Sequence, residues 1–278
     1  MPPIDHELNL TTQAILTYGS WGLTAVILVL AIRMGMRERT QFYALMVLAV
    51  MVGAFVEPLY DVAMMLYFYS TEGMWTHFTA FDIPQPIWTH SGYVVLYASA
   101  AIYIARQIAR GTLTRGKLFV WAGVAFAMSA AFEIFAINAG AYSYWGPHTF
   151  RIFQYPLVIG VLEAAQVICF AVAASVLRQR ATHQWQLLGL FVLFPSTFLM
   201  ANFGGGWPTI IAMHAEHTSP PLIAAGTVVS LGFAVLLVWA AASFLPQGSI
   251  GDVQDRARGL GEQHPQPVLG KAGVVEQR

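Results

Sequence analysis

Residues 42–68 read FYALMVLAVMVGAFVEPLYDVAMMLYF, a block long enough to cross a bilayer and charged only at Glu57 and Asp61. A helix needs about 20 apolar residues to span the hydrocarbon core. A charge at bilayer depth costs roughly 2.5–3.5 kcal/mol on insertion scales. Acids that costly are paired, protonated or in use. Glu133 and Glu163 pose the same problem, each inside its own apolar block.

The rest of the chain agrees with that first block. Of its 278 residues 57% are hydrophobic and 10% charged, whereas a soluble domain carries about 25% charged residues. The expected fold is all-α, a polytopic membrane protein of seven transmembrane helices. They fall at about 13–35, 42–68, 87–109, 117–140, 156–178, 185–205 and 221–245. Residues 1–245 form the transmembrane domain. Residues 246–278, rich in Gly, Gln, Pro and charge, are expected to be a disordered cytoplasmic tail. The acidic N-terminus lacks the basic region of a cleavable signal peptide. A single cysteine, Cys169, leaves no disulfide framework and no cysteine metal site. A formal net charge of zero gives no reason to invoke nucleic acid.

Basic residues set the expected orientation. Arg33, Arg37 and Arg39 lie between spans one and two. Arg106, Arg110, Arg115 and Lys117 lie between three and four, and Arg178 and Arg180 between five and six. Arg256, Arg258, Lys271 and Arg278 follow span seven, and the opposite loops hold only Arg151. The positive-inside rule then puts the N-terminus outside and the C-terminus in the cytoplasm.

Orientation converts position into depth. Glu57 and Asp61, at i and i+4, share one helix face about 6 Å apart in the outer half of span two. Glu133 and Glu163 lie in the outer halves of spans four and five, the latter about 10 Å below the surface. Gln166, Asn202 and His90 join them from spans five, six and three. Hydrogen-bonding glue explains one such residue. Convergence in one leaflet is better explained by a polar cavity. Pro58 is expected to kink span two and free a backbone carbonyl. The glycines 204–206, followed by Trp207-Pro208, are expected to end span six. The inner half is nearly bare of polarity, with Thr24, Ser129, Ser175 and Ser230. The aromatic loops at 74–78 and 141–145 are read either as interface anchors or as a lid.

Spans two–three and four–five echo one another. The first pair reads Glu57, Tyr67-Phe68-Tyr69, Ile83-Pro84, Trp88. The second reads Glu133, Tyr142-Ser143-Tyr144, Tyr155-Pro156, Glu163. Repeated hairpins around a site are a known membrane architecture.

Glu133, Gly140, Tyr142-Ser143-Tyr144 and Tyr155-Pro156-Leu157, with Glu163 beyond, resemble a pattern of the small integral-membrane carotenoid enzymes. These are the heterodimeric-type lycopene cyclases and the carotenoid hydratases. More loosely, the chain resembles the seven-span terpene cyclases of fungal meroterpenoid pathways. The likeness covers spans two to five. It departs where the lycopene cyclases carry Pro-x-Glu-Glu, since here Pro156 precedes a single Glu163. The resemblance implies cyclisation or hydration of an isoprenoid or related lipid without metal or other cofactor. An acid protonates an alkene or epoxide, aromatic faces stabilise the cation, and a base removes a proton. Candidate catalytic residues are Glu57 and Glu133, supported by Asp61 and Glu163. Candidate substrate contacts are Tyr60, Trp88, His90, Tyr93, Tyr142, Tyr144, Trp145, Gln166 and Asn202. Tyr67 is a further aromatic within reach.

Other readings stay open at this point. A retinal protein needs a lysine within a span, and Lys117 and Lys271 do not supply one. A zinc site would draw on His214 and His217 with His77, His90 and His148, but the i, i+3 spacing in a loop is weak geometry. A non-catalytic lipid binder or receptor and a proton-coupled transporter remain as alternatives. The topology is directly testable. Reporter fusions at Gly248 and within 70–82 should give opposite signals, and equal signals would overturn both topology and depths.

Overall fold

The computed structural model describes residues 2–245, so the expected tail lies outside the described residues. Among the described residues, seven helices are long and apolar enough to cross a membrane: Leu10–Glu38, Phe42–Met64, Thr89–Ala109, Arg115–Asn138, Leu157–Arg180, Gln184–Gly205 and Pro220–Ala242. The chain is an all-α, multi-pass membrane protein. Each helix coincides with an apolar block in the sequence, and together they form one bundle. Span five is its hub: 83% of its apolar window is buried, against 28% for span one and 22% for span four.

The basic end of the bundle is tied by one carboxylate. Glu38 accepts hydrogen bonds from the Tyr43 hydroxyl at 2.6 Å, Arg178 at 3.1 Å and Arg106 at 3.3 Å. Arg178 also lies 5.0 Å over the rings of Phe42 and Tyr43. Four spans meet there, and the opposite end is free to carry loops.

Those loops fold into three two-stranded ribbons. Strand β1 (Leu66–Phe68) pairs antiparallel with β4 (Tyr142–Tyr144), centred on Tyr67 opposite Ser143. Strands β2 (Thr76–Ala80) and β3 (Ile83–Pro86) form a hairpin, as do β5 (Arg151–Ile152) and β6 (Tyr155–Pro156). The order helix, strand, hairpin, helix therefore occurs twice, over spans two–three and four–five. Both hairpin turns place two residues in the left-handed region: Phe81 and Asp82 at φ 53° and 59°, Phe153 and Gln154 at φ 47° and 66°. Glycine and asparagine usually occupy such turns, and a phenylalanine there costs about 1–2 kcal/mol. Both phenyl rings are exposed, at 61% and 72%.

The structure corrects two expectations. Span two stops at Met64, not at residue 68, because Leu66–Phe68 pair with β4. Pro58 leaves no orphan carbonyl. A 3-10 turn over Ala54–Val56 lets the Glu57 N–H reach the Ala54 carbonyl, and Pro58 then sits in the first turn of the helix Glu57–Met64, where no N–H is required. Span six ends within the glycine run, at Gly205, through a π-helical turn, Met200–Gly205. After Gly206 a separate short helix follows at Trp207–His214. Gly205 and Gly206 also serve packing: a Cβ there would press within 3.1 Å of Leu162 and within 2.9 Å of Met64, respectively.

Span seven closes on this helix by the same device. A Cβ at Gly226 would stand 2.5 Å from the Pro208 carbonyl oxygen and 3.1 Å from the Ala212 Cβ. Backbone cannot swing aside as a side chain can. Gly226→Ala should therefore destabilise the protein by about 1–3 kcal/mol. Gly232→Ala, on the same helix with nothing within 4 Å, should not. Thermal unfolding in detergent compares the two, and equal midpoints would refute the close approach.

Candidate functional site

Four buried carboxyl groups lie toward the loop end, opposite the Glu38 cluster. Hydrocarbon offers them no water, so the protein must supply their hydrogen bonds. Glu57 accepts from the Tyr93 hydroxyl. Glu163 accepts from the Tyr97 hydroxyl at 2.7 Å and from Ser129, which also lies 3.0 Å from the Tyr155 hydroxyl. Asp61 accepts from the Gln85 amide at 2.6 Å. Two carboxyl oxygens, Glu133 Oε2 and Asp61 Oδ1, have no hydrogen-bond partner among the described residues.

Glu57, Glu133 and Glu163 line one cavity of about 30 Å³. That is room for a water or two. Its walls are aromatic. Tyr60, Tyr93 and Tyr97 come from spans two and three, Trp88 from the start of span three, and Phe132 from span four. The β1–β4 pair forms the roof. Alternation along a strand sends every second side chain to one face. Leu66, Phe68, Tyr142 and Tyr144 accordingly line the cavity, and Tyr67 and Ser143 do not. The strand pair covers the cavity at this end. Trp88 stacks on Tyr142 at 5.9 Å, and Tyr60 meets Tyr144 hydroxyl to hydroxyl at 3.3 Å. Burial raises the Tyr142, Tyr144 and Tyr155 hydroxyls well above their ordinary range. Glu133 pushes the first two further, and Glu163 does the same for Tyr155. All three phenols stay protonated.

The structure brings most of the sequence candidates together. Glu57, Glu133, Glu163, Tyr60, Trp88, Tyr93, Tyr142 and Tyr144 share the cavity. Asp61 is fully buried behind it, committed to Gln85. Four candidates lie elsewhere. His90 donates from Nδ1 to the Met51 carbonyl at 2.6 Å, and its Nε2 lies 3.2 Å from His77 Nδ1. Trp145 packs beside Met65, and its N–H bonds the Met65 carbonyl. Gln166 and Asn202 are fully buried but one helical turn below the Leu162–Gly206 contact, which turns them toward the seam between spans five and six. Both amide atoms of Gln166 and the Asn202 Oδ1 have no partner among the described residues.

Sequence reasoning missed Tyr97, Ser129, Phe132, Tyr155 and Gln85. Tyr97 was within reach of it, one turn from Tyr93 at i+4. Ser129 was assigned to the inner half, yet it stands one turn from Glu133 and belongs to the site. Gln85 carries no sequence signal, because only the β2–β3 hairpin brings it to Asp61.

Two of the loop histidines bond backbone carbonyls. His148 Nε2 donates to the Met64 carbonyl at 2.8 Å and His214 Nε2 to the Ala63 carbonyl at 3.1 Å. Burial lowers the pKa of His77 and of His148 to about 4, and the neighbouring His90 adds to the effect at His77. Both are neutral at physiological pH. Among the described residues no group of three His, Cys, Asp or Glu side chains is placed to hold a metal ion.

The two donors on Glu163 allow burial and chemistry to be separated. Glu163→Leu strands the Tyr97 hydroxyl, at about 1–3 kcal/mol, while Ser129 keeps the Tyr155 hydroxyl at 3.0 Å. It should lower the thermal midpoint well below that of Glu163→Gln, which keeps shape and hydrogen bonding. Equal midpoints would mean that the Tyr97 hydroxyl does not depend on Glu163. No protein-family model, curated protein or solved structure matches the chain.

Proposed function

We propose that the protein is a membrane-embedded enzyme that cyclises or hydrates an isoprenoid or related lipid by carboxylate acid–base chemistry. One observation carries this reading: three glutamates from three different spans face a single aromatic-walled cavity. Glu133, with an oxygen free of any partner among the described residues, is the proton donor. Glu57, already the acceptor of a phenolic hydrogen bond, is the base. Glu163 and Asp61 support them from the Ser129–Tyr97 and Gln85 contacts.

The reaction balances without a redox partner or cofactor. Glu133 gives a proton to an alkene carbon, or to an epoxide oxygen, and a carbocation forms. A second alkene attacks it to close a carbon–carbon bond. Glu57 removes a proton from the neighbouring carbon and restores a double bond. Water, in place of the second alkene, gives hydration. Trp88, Tyr60, Tyr93 and Tyr142 offer π-faces to the cation.

The cavity of about 30 Å³ is far smaller than the 300–1,000 Å³ of ordinary ligand pockets. Substrate admission therefore requires the wall to part. The opening is assigned to the contact between spans three and four, where Trp88 and Phe132 meet at 6.3 Å and Phe132 is only half-buried. A substrate arriving there comes from the lipid. In this reading the N-terminus is extracytoplasmic and the Glu38 end cytoplasmic, as the basic residues direct. The site then serves the outer leaflet.

Proteoliposomes supplied with lycopene, or with a polyprenyl epoxide, in D₂O test the proposal. The product should be an isomer or hydrate of the substrate carrying one carbon-bound deuterium per protonated alkene. An epoxide, protonated on oxygen, should yield an isomer without carbon-bound deuterium. Glu133→Gln and Glu57→Gln should fold and insert yet lose turnover by at least about 100-fold, the lower range for a positioned acid or base. Turnover should not respond to an imposed proton gradient. If a gradient drives net uptake of a solute, or if both glutamine variants keep full function, the enzyme reading is wrong.

A further inference from the structure

A second and larger hollow lies at the other end of the bundle, away from the carboxylates. It is a groove of about 800 Å³ between spans five, six and seven, floored by Cys169, Val172, Thr197 and Leu237. Its surface is almost wholly apolar. The hydroxyls of Ser196 and Thr197, which reach it, are spent on the carbonyls of Val192 and Phe194 in their own helix. The groove asks for hydrocarbon and offers no hydrogen bond along its length.

One charge borders it. Arg180, the last residue of span five, lies at the rim near Gly189 and Phe244. It is exposed, and it makes no hydrogen bond or ion pair among the described residues. Its neighbour Arg178 is engaged with Glu38 and Tyr43. The groove thus has a cationic mouth at the basic end and a dry interior. Gly189 and Met200, which bracket it along span six, are about 16 Å apart in helix rise, roughly half the ~30 Å hydrocarbon core. That is the reach of one acyl chain in one leaflet.

From this complementarity of charge, length and polarity we infer that the groove is a binding site for one anionic phospholipid. Its acyl chain lies along span six and its phosphate pairs with Arg180. A zwitterionic lipid brings an ammonium group against the same arginine and is disfavoured. Basic hollows between transmembrane helices take acidic headgroups on this principle. The inference is independent of the proposed chemistry, since Phe170, Phe194 and Phe198 pack between the groove and the carboxylate cavity.

The test is native mass spectrometry of the full chain after exchange into equimolar palmitoyl-oleoyl phosphatidylglycerol and phosphatidylcholine. One phosphatidylglycerol per chain should be retained in preference to phosphatidylcholine. Arg180→Glu should reduce that retention by at least about fivefold, the scale of one basic contact at a membrane surface. Arg110→Glu, a reversal at the same end but remote from the groove, should leave it unchanged. Gly189→Leu fills the rim, where an added Cβ meets only Leu177 side-chain carbons at 3.5 Å or beyond, and should expel lipid of either kind. Equal retention of the two lipids, or no response to Arg180→Glu, overturns the inference. So does a lipid-free dimer sealed through this face, or a neutral isoprenoid as the bound species. Failure of the enzyme reading would show in the glutamate variants and leave these results untouched.

Discussion

A carboxyl group in hydrocarbon must be given hydrogen-bond donors by the protein itself, and the architecture of the loop end follows from that demand. Tyr93 serves Glu57; Tyr97 and Ser129 serve Glu163; Gln85 serves Asp61. These donors sit on span three, span four and a loop hairpin. Satisfying the acids therefore fixes how those elements stand around span five. Phenol is well suited to the task, because it carries a hydroxyl to the carboxylate while its ring packs as an apolar side chain. The site is consequently aromatic, with Asp61 Oδ1, Gln85 Oε1, Trp88 Nε1 and Glu133 Oε2 left without partners among the described residues. The reactive role proposed for Glu133 rests on its open oxygen together with its place in the cavity wall.

The two ends of the bundle solve opposite problems. At the basic end a single partly exposed carboxylate gathers two arginines and a tyrosine, so the charge is on the arginines and the acid ties them together. At the loop end the acids outnumber the cations, and neutral hydroxyls replace arginine. Spans five, six and seven and the short helix after span six close on one another partly through glycines, with Gly226 against Pro208 and Gly205 against Leu162. Small residues at helix contacts let backbones approach where no hydrophobic force between helices exists in lipid.

How much of this was readable in advance depends on range. Seven apolar blocks map onto seven helices because bilayer thickness acts on each segment separately. The acids could be placed at one depth because position along a helix is itself depth. What lay beyond reach was contact across the fold. Gln85 meets Asp61 only through a hairpin, and Ser129 changes its meaning once Glu163 is known to face it. Gln166 stands three residues from Glu163, yet helix phase turns it to a different seam. The glycines at the end of span six were read by conformational freedom alone, whereas they also serve close packing against Leu162 and Met64. Local signals named the right residues, and tertiary register decided which of them share a cavity.

The paired strands carry a further consequence. An antiparallel pair has a local two-fold axis through its middle, here between Tyr67 and Ser143. Glu57 and Glu133 each stand ten residues before those positions, so the two glutamates are counterparts in the two halves. A half-length chain pairing with an identical copy would hold the same two acids in identical surroundings. Neither could then be donor while the other was acceptor, except by chance of protonation. Joining the halves in one polypeptide removes that equivalence. Each glutamate acquires neighbours of its own, Tyr93 for one and an unpartnered oxygen for the other. In the proposed chemistry, that difference in surroundings is what assigns the two glutamates different roles.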